Sequence, residues 1–175
     1  NFYLCIHKMY ELNTSWVLWY HSIKDTSWTK SSYKQIYTFN NLYDYSLLED
    51  IIETNHLQNG MFFLMRDGIF PNWEDPDNSE GCCISFKIPG ETIKEEFCKI
   101  LLYCLTEDIL NDPDTFEELN GFSIAPKNSL QHVLSSADYI TKRNPGNRAV
   151  AETVIHILKI FFKINFANLK KFKLN

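Results

Sequence analysis

The chain predicts an α+β fold, a mostly antiparallel sheet with helices on one face. Three observations carry this. Strand-like segments follow one another without strict alternation with helices, which disfavours a parallel sheet. Turn punctuation at Asp67-Gly68, Pro89-Gly90 and Asn144-Pro145-Gly146-Asn147 divides the chain into short elements. Hydrophobic residues make up 45% of the 175 and charged residues 22%, enough apolar material for one packed core without disulfide or metal staples.

The elements follow in order. Ser15 to Tyr20 is bulky enough for a buried strand, and Ser32 to Phe39 alternates as a strand with one wet face. Asn40-Asn41 supplies a helix cap, and Leu42, Tyr45, Leu48, Glu49 and Ile52 then keep helical spacing. Met61 to Met65 is a short apolar strand that starts after Gly60. Residues 71–81 form a loop carrying Trp73-Glu74, and Cys82 to Ile88 is strand-like. Ile93, Phe97, Ile100, Leu101, Cys104 and Leu105 trace one face of a long helix. Asn111 to Asn120 reads as an acidic loop with a helical turn. Phe122 to Ala125 and Gln131 to Leu134 read as two strands around a turn. Val150, Val154, Ile157, Leu158 and Phe161 predict a helix over 147–161. Residues 1–175 form a single domain, with 164–175 as a basic tail or a last edge strand.

Composition excludes several classes. No apolar run approaches the ~20 residues that cross a bilayer, and Asn1-Phe2-Tyr3-Leu4-Cys5 lacks the plan of a signal peptide. The balance of 17 basic and 22 acidic residues gives −5, so any nucleic-acid contact must be small and local. Five cysteines without a C-x-x-C pair suggest reduced thiols and a cytoplasmic protein, with a nuclear fraction allowed. No nucleophile elbow, phosphate loop or zinc signature is present. Residues 75–86 fail as a calcium loop, because Phe86 stands where a bidentate Glu is needed. The five histidines are scattered. The reading is therefore a non-enzymatic monomer with no metal and no cofactor.

Trp28, after Asp25-Thr26-Ser27, and Trp73, in the Pro71-to-Pro76 loop, lie outside strand-like cores. Indoles placed in loops either lid a core or cover a ligand. The pattern Trp16-x-x-Trp19, Ser27-Trp28, Ile36-x-x-Phe39 and, above all, Arg66-Asp67-Gly68-Ile69-x-Pro71-x-Trp73-Glu74-Asp75 resembles eukaryotic translation initiation factor 4E, the messenger-RNA cap-binding family. The similarity runs from about His7 to Ile109 and more weakly to Phe161. It implies a curved sheet backed by three long helices on its convex face.

The resemblance also implies a site. A 7-methylguanine ring carries a delocalised positive charge. Stacked between two indoles it gains dispersion and a cation–π term of ~0.5–2 kcal/mol per face. Trp28 and Trp73 would be the two faces, and Glu74 would accept hydrogen bonds from the guanine edge. Trp16 and Trp19 would pack the core. For the phosphates, Lys127 falls where the family carries Arg, and His132, Lys170 and Lys171 are further candidates. The family Arg near Gly81 and its third cap-contacting Trp have no counterpart, so the phosphate arm is thin.

Implied partners are capped messenger RNA and a scaffold or binding protein with a Tyr-x4-Leu-apolar helix, with no membrane partner. The implied partner face comprises His7, Leu42, Ser46, Lys99 and Tyr103. Ser46 stands in place of a family Trp, and Lys99 and Tyr103 stand in place of two leucines. Two functions fit: an initiation factor that recruits the scaffold, or a cap-binding repressor that does not. A protein-interaction domain without cap binding and a cap-hydrolysing enzyme are the remaining readings.

Overall fold

The structure, a computed structural model, describes residues 10–110, 113–127 and 155–163. Six strands form one sheet: β1 (Glu11–Ser22), β2 (Tyr33–Asn41), β3 (Gly60–Arg66), β4 (Cys82–Pro89), β5 (Leu119–Lys127) and β6 (Ile155–Phe162). Their order is β2-β1-β3-β5-β6-β4, and every neighbouring pair is antiparallel. The helices are α1 (Leu42–Ile51), α2 (Thr54–Asn59), α3 (Pro76–Ser79) and α4 (Ile93–Leu105). Among the described residues no helix is long and apolar enough to cross a membrane.

Strand parity sends alternate side chains to opposite faces. Trp16, Leu18, Phe62, Leu64, Phe122 and Ile124 turn to the helix-covered face and bury against Leu48 and Ile52 of α1, Leu57 of α2, and Phe97 and Leu101 of α4. The opposite face gathers a smaller cluster around Tyr33, Phe63 and Met65, with Trp19, Met61, Phe70 and Phe161 packed on it. One transverse row on this open face reads Gln35, Trp19, Phe63, Ser123, Lys159, Ser85 across the six strands.

Local chemistry sets the element ends. The Asn41 side chain accepts the Tyr43 N–H at 2.9 Å, and Asp44 accepts the Asn41 N–H at 3.1 Å, a reciprocal cap on α1. Ile52 turns extended, and the Glu53 N–H donates to His56 Nδ1, so the helix predicted through Ile52 ends at Ile51 and α2 starts afresh. Gly121 sits at φ 155°, where a Cβ would collide with the Leu64 carbonyl oxygen, so β3 and β5 approach only because that side chain is absent. Arg66 donates to the Leu119 and Phe116 carbonyls at 2.6 Å each and to Thr14 Oγ1 at 3.0 Å, with its guanidinium over Trp16 and Phe116. Burial pushes its pKa down. These bonds fix the 3-10 turn Pro113–Glu118 at the entry to β5.

One expectation is corrected. Residues 155–162 are a strand, not the end of a helix over 147–161. On β6 Leu158 and Ile160 face the helices and Phe161 faces the open side, so apolar residues fall on both faces and no clean alternation is left to read. Of the described helices, α4 has 13 residues and α1 has 10, whereas α2 has 6 and α3 has 4. The expected strand 131–134 and the 164–175 segment lie outside the described residues.

The described cysteines, Cys82, Cys83, Cys98 and Cys104, are free thiols. Burial raises the pKa of Cys82, Cys98 and Cys104, which keeps those thiols protonated and unreactive.

Candidate functional site

Trp28 sits on a tight loop that closes β1. The Asp25 N–H donates to the Ser22 carbonyl at 3.1 Å, and the Ser27 N–H donates to Asp25 Oδ1 at 2.8 Å. His21, fully buried near the end of β1, reaches the Ser27 carbonyl through Nε2 at 2.8 Å. Its ring lies flat against the Trp28 indole, with centroids 4.3 Å apart and planes 6° apart. Tyr33 meets His21 edge-on at 4.9 Å. The loop is short and polar, so these contacts define the indole's position. Trp28 still keeps 57% of its surface exposed.

Trp73 and Glu74 project from a second loop, held by side-chain amides and a carboxylate. Asp75 accepts the Phe70 N–H at 2.9 Å through one oxygen and the Asp77 N–H at 3.1 Å through the other. Asn78 donates to the Phe70 and Asn72 carbonyls at 3.0 and 2.8 Å, and Asn120 from β5 donates to the Asp77 carbonyl at 2.7 Å. Asn78 and Asn120 are buried, so the loop is anchored from beneath. Trp73 meets Phe161 edge-on at 5.8 Å and is 47% exposed.

The two loops and the open face of the sheet enclose one cavity of about 330 Å³. Trp28, Trp73 and Glu74 all line it, so the structure brings together the three residues that the resemblance places on the ligand base. Each indole also touches the open-face aromatic cluster, Trp28 through His21 and Tyr33 and Trp73 through Phe161, yet stays about half exposed. Trp16 is fully buried under the helices, and Trp19 packs edge-on against Phe70 at 5.2 Å outside the cavity lining. Glu74 is exposed and makes no hydrogen bond or ion pair with any described residue. Burial, and secondly the Glu74 charge, push the Tyr33 hydroxyl pKa up, so this phenol remains neutral. A cavity lined by aromatic rings and edged by one exposed carboxylate suits a flat, positively charged ring with hydrogen-bond donors on its rim.

The remaining candidates fall elsewhere. Lys127 is exposed at the end of β5, opposite Ile155, and is not part of the cavity wall. His132, Lys170, Lys171 and His7 lie outside the described residues. Leu42 and exposed Ser46 lie on α1, and exposed Lys99 and half-buried Tyr103 lie on α4, with the Lys99 ammonium 5.8 Å from the Tyr103 ring centre. Sequence reasoning missed His21, Tyr33 and Lys159. The signal for His21 was its parity with Trp19, two residues earlier on β1. Lys159 was hidden by the helix reading of its segment.

Comparison with known proteins agrees with this architecture. The family described as "Eukaryotic initiation factor 4E" matches residues 11–173. The Arabidopsis thaliana protein "Eukaryotic translation initiation factor isoform 4E" is 30% identical over 169 residues, covering 91% of this chain and 82% of that protein. The Caenorhabditis elegans protein "Eukaryotic translation initiation factor 4E-1" is 34% identical over 76 residues, covering 42% of this chain but only 35% of that protein. Among solved structures, Ascaris suum eIF4E-3 with an m2,2,7G cap superposes with a TM-score of 0.65 at 15% identity, covering 91% of this chain and 76% of that one. The C. elegans eIF4E-3 complex with the 4E-binding protein Mextli and a cap analogue gives 0.64 at 15% identity, covering 89% and 75%. The curved six-stranded sheet with helices on one face is therefore shared, and the chain belongs to the eukaryotic initiation factor 4E family.

Proposed function

We propose that this chain seats the 7-methylguanosine 5′ cap of messenger RNA in the cavity between Trp28 and Trp73, and acts in the cytoplasm in translation initiation. As a member of this family it is a binding protein, not an enzyme. The single observation that carries the reading is the convergence on one cavity of two exposed loop indoles and a carboxylate with no partner among the described residues. Methylation at N7 makes the guanine ring cationic, and the indole faces favour that charge while Glu74 favours the donor pair on the guanine edge. Unmethylated guanine loses the cation–π term, and adenine cannot present the donor pair. Solved family members bound to m7G and m2,2,7G caps support the ligand class. The test is Glu74→Gln: guanine-over-adenine discrimination among methylated nucleotides should collapse with the fold intact, and unchanged discrimination would remove Glu74 from the base edge.

A second reading, a cap-binding repressor that does not engage the usual scaffold, is favoured by the α1–α4 face. Ser46 offers no aromatic anchor, and Lys99 and Tyr103 stand where the resemblance implies two leucines, with the Lys99 ammonium 5.8 Å from the Tyr103 ring centre. Losing a buried aromatic hot spot costs ~2–4 kcal/mol in a helix-in-groove interface. Pull-down with a Tyr-x4-Leu-apolar helical peptide separates the two. Capture supports scaffold recruitment, and no capture alongside intact cap binding supports the repressor.

A further inference from the structure

We infer that Phe70 is a positioning residue that couples the two indole-bearing loops, so that the slot stands formed before a ligand enters; the consequence for ligand binding rests on the cap-binding reading above. The backbone of Phe70 roots the Trp73 loop. Its N–H donates to Asp75 at 2.9 Å, and its carbonyl accepts from the Asn72 N–H at 2.8 Å and the Asn78 amide at 3.0 Å. Its side chain reaches the other way, over β1, which lies between β3 and β2. The ring meets Trp19 of β1 edge-on at 5.2 Å and Tyr33, the first residue of β2, edge-on at 5.0 Å. The Tyr33 N–H donates to the Lys30 carbonyl and closes the 3-10 turn Lys30–Ser32 that follows Trp28. The Lys30 ammonium lies 5.5 Å from the Phe70 ring centre. Tyr33 carries the chain of rings on to His21 at 4.9 Å and to Trp28 at 6.3 Å.

The Trp28 loop is weakly held on its own side. Residues 23–31 are all exposed, and the hydrogen bonds described for them reach no farther than His21 and Tyr33. A segment built of short-range polar contacts opens at little cost. The contacts of Tyr33 and Lys30 with the Phe70 ring tie it to the second loop, which Asn78 and Asn120 anchor from beneath. Phe70 is not among the residues that line the cavity, so it acts on a ligand through what it holds. Indoles held in place before binding spare the ligand the cost of ordering them, which raises affinity without a further contact.

The experiment follows amide hydrogen exchange of the ligand-free chain, and its affinity for 7-methylguanosine triphosphate, in wild type, Phe70→Leu, Phe70→Tyr and Lys30→Gln. Phe70→Leu keeps apolar bulk and removes the ring. Residues 23–32, on the other loop, should then exchange about three- to tenfold faster while α4 keeps its protection, and affinity should fall by a similar factor. Phe70→Tyr, which keeps the ring, should match wild type in both. Wild-type exchange over 23–32 in Phe70→Leu, or equal acceleration in Phe70→Tyr, would overturn the coupling. Faster exchange with unchanged affinity would remove Phe70 from positioning the slot. Should Phe70→Leu loosen α4 as well, Lys30→Gln decides. This exposed change takes only the cation from the ring and should speed exchange over residues 70–80 about twofold, whereas wild-type exchange there would overturn the coupling. Exchange is read without ligand, so accelerated exchange in Phe70→Leu beside a wild-type chain that binds no cap analogue would leave the coupling standing and sink the cap-binding reading instead.

Discussion

The His21 imidazole lies face to face against the Trp28 indole, 4.3 Å between ring centres and 6° between planes. One face of Trp28 is therefore covered by His21, and the ring's remaining exposed surface is where the proposed cap would stack. His21 is itself fixed by its Nε2 contact with the Ser27 carbonyl, so the stack orients a side chain that its own polar loop would leave free to rotate. Removing the support should lower affinity without touching the ligand. His21→Ala is expected to weaken binding of a methylated cap analogue by roughly 3- to 10-fold, the worth of an aromatic pair at ~0.5–1.5 kcal/mol. His21→Phe should restore most of it. Fluorescence titration of both variants checks this, and equal loss in both would mean that the hydrogen bond, not the stack, sets the indole.

The four tryptophans should divide cleanly. Trp28→Ala and Trp73→Ala each remove a half-exposed ring and one aromatic pair, so stability should fall by no more than ~1.5 kcal/mol while cap binding is lost. Trp16→Ala empties a fully buried site under the helices and should cost ~3–5 kcal/mol. Urea melts of the three variants provide the comparison. A large stability loss in Trp28→Ala would place that ring in the core.

Much of this division was legible in the residues. β1 and β2 showed alternation or bulk, the Asn41 cap preceded a clear helical spacing, and Trp28 and Trp73 stood out because polar loops rarely carry indoles. The rest was hidden for physical reasons. In β6, Leu158 and Ile160 face the helices while Phe161 faces the open side, so apolar residues crowd both faces and mimic a helical stripe. Lys159 disappeared inside that stripe. The short helix α2 was hidden because residues 53–59 carry one apolar side chain, Leu57, and its start is set by the Glu53 N–H donating to His56 Nδ1.

His156 gives the fold an acid-side weakness. It is fully buried on β6, its Nε2 contacts the Leu57 carbonyl at 3.2 Å, and Nδ1 has no hydrogen-bond partner among the described residues. Burial pushes its pKa below the ordinary value, partly opposed by that carbonyl. A histidine that takes up its proton more readily when unfolded stabilises the fold at neutral pH and loses that contribution as pH falls below about 6.5. Thermal melts should therefore shift downward from pH 7.5 to 5.5. His156→Gln should flatten that part of the slope. An unchanged slope would assign the acid sensitivity elsewhere.

Arg66 ties three segments with a planar fork that lysine cannot reproduce. Arg66→Lys should destabilise the chain by ~2–3 kcal/mol, because the Leu119 and Phe116 carbonyls lose charged donors. The entry of β5 also carries Asn120, which holds the Trp73 loop, so cap affinity should fall along with stability. A denaturation midpoint equal to wild type would show that water replaces the guanidinium at no cost.

The most direct test is a titration of the wild-type protein with 7-methylguanosine triphosphate against guanosine triphosphate, followed by tryptophan quenching. Saturable quenching with at least tenfold preference for the methylated ring is the predicted result, since two indole faces each contribute ~0.5–2 kcal/mol toward the cation. Equal affinity for the two nucleotides, or no quenching by either, would contradict the role assigned to Trp28 and Trp73.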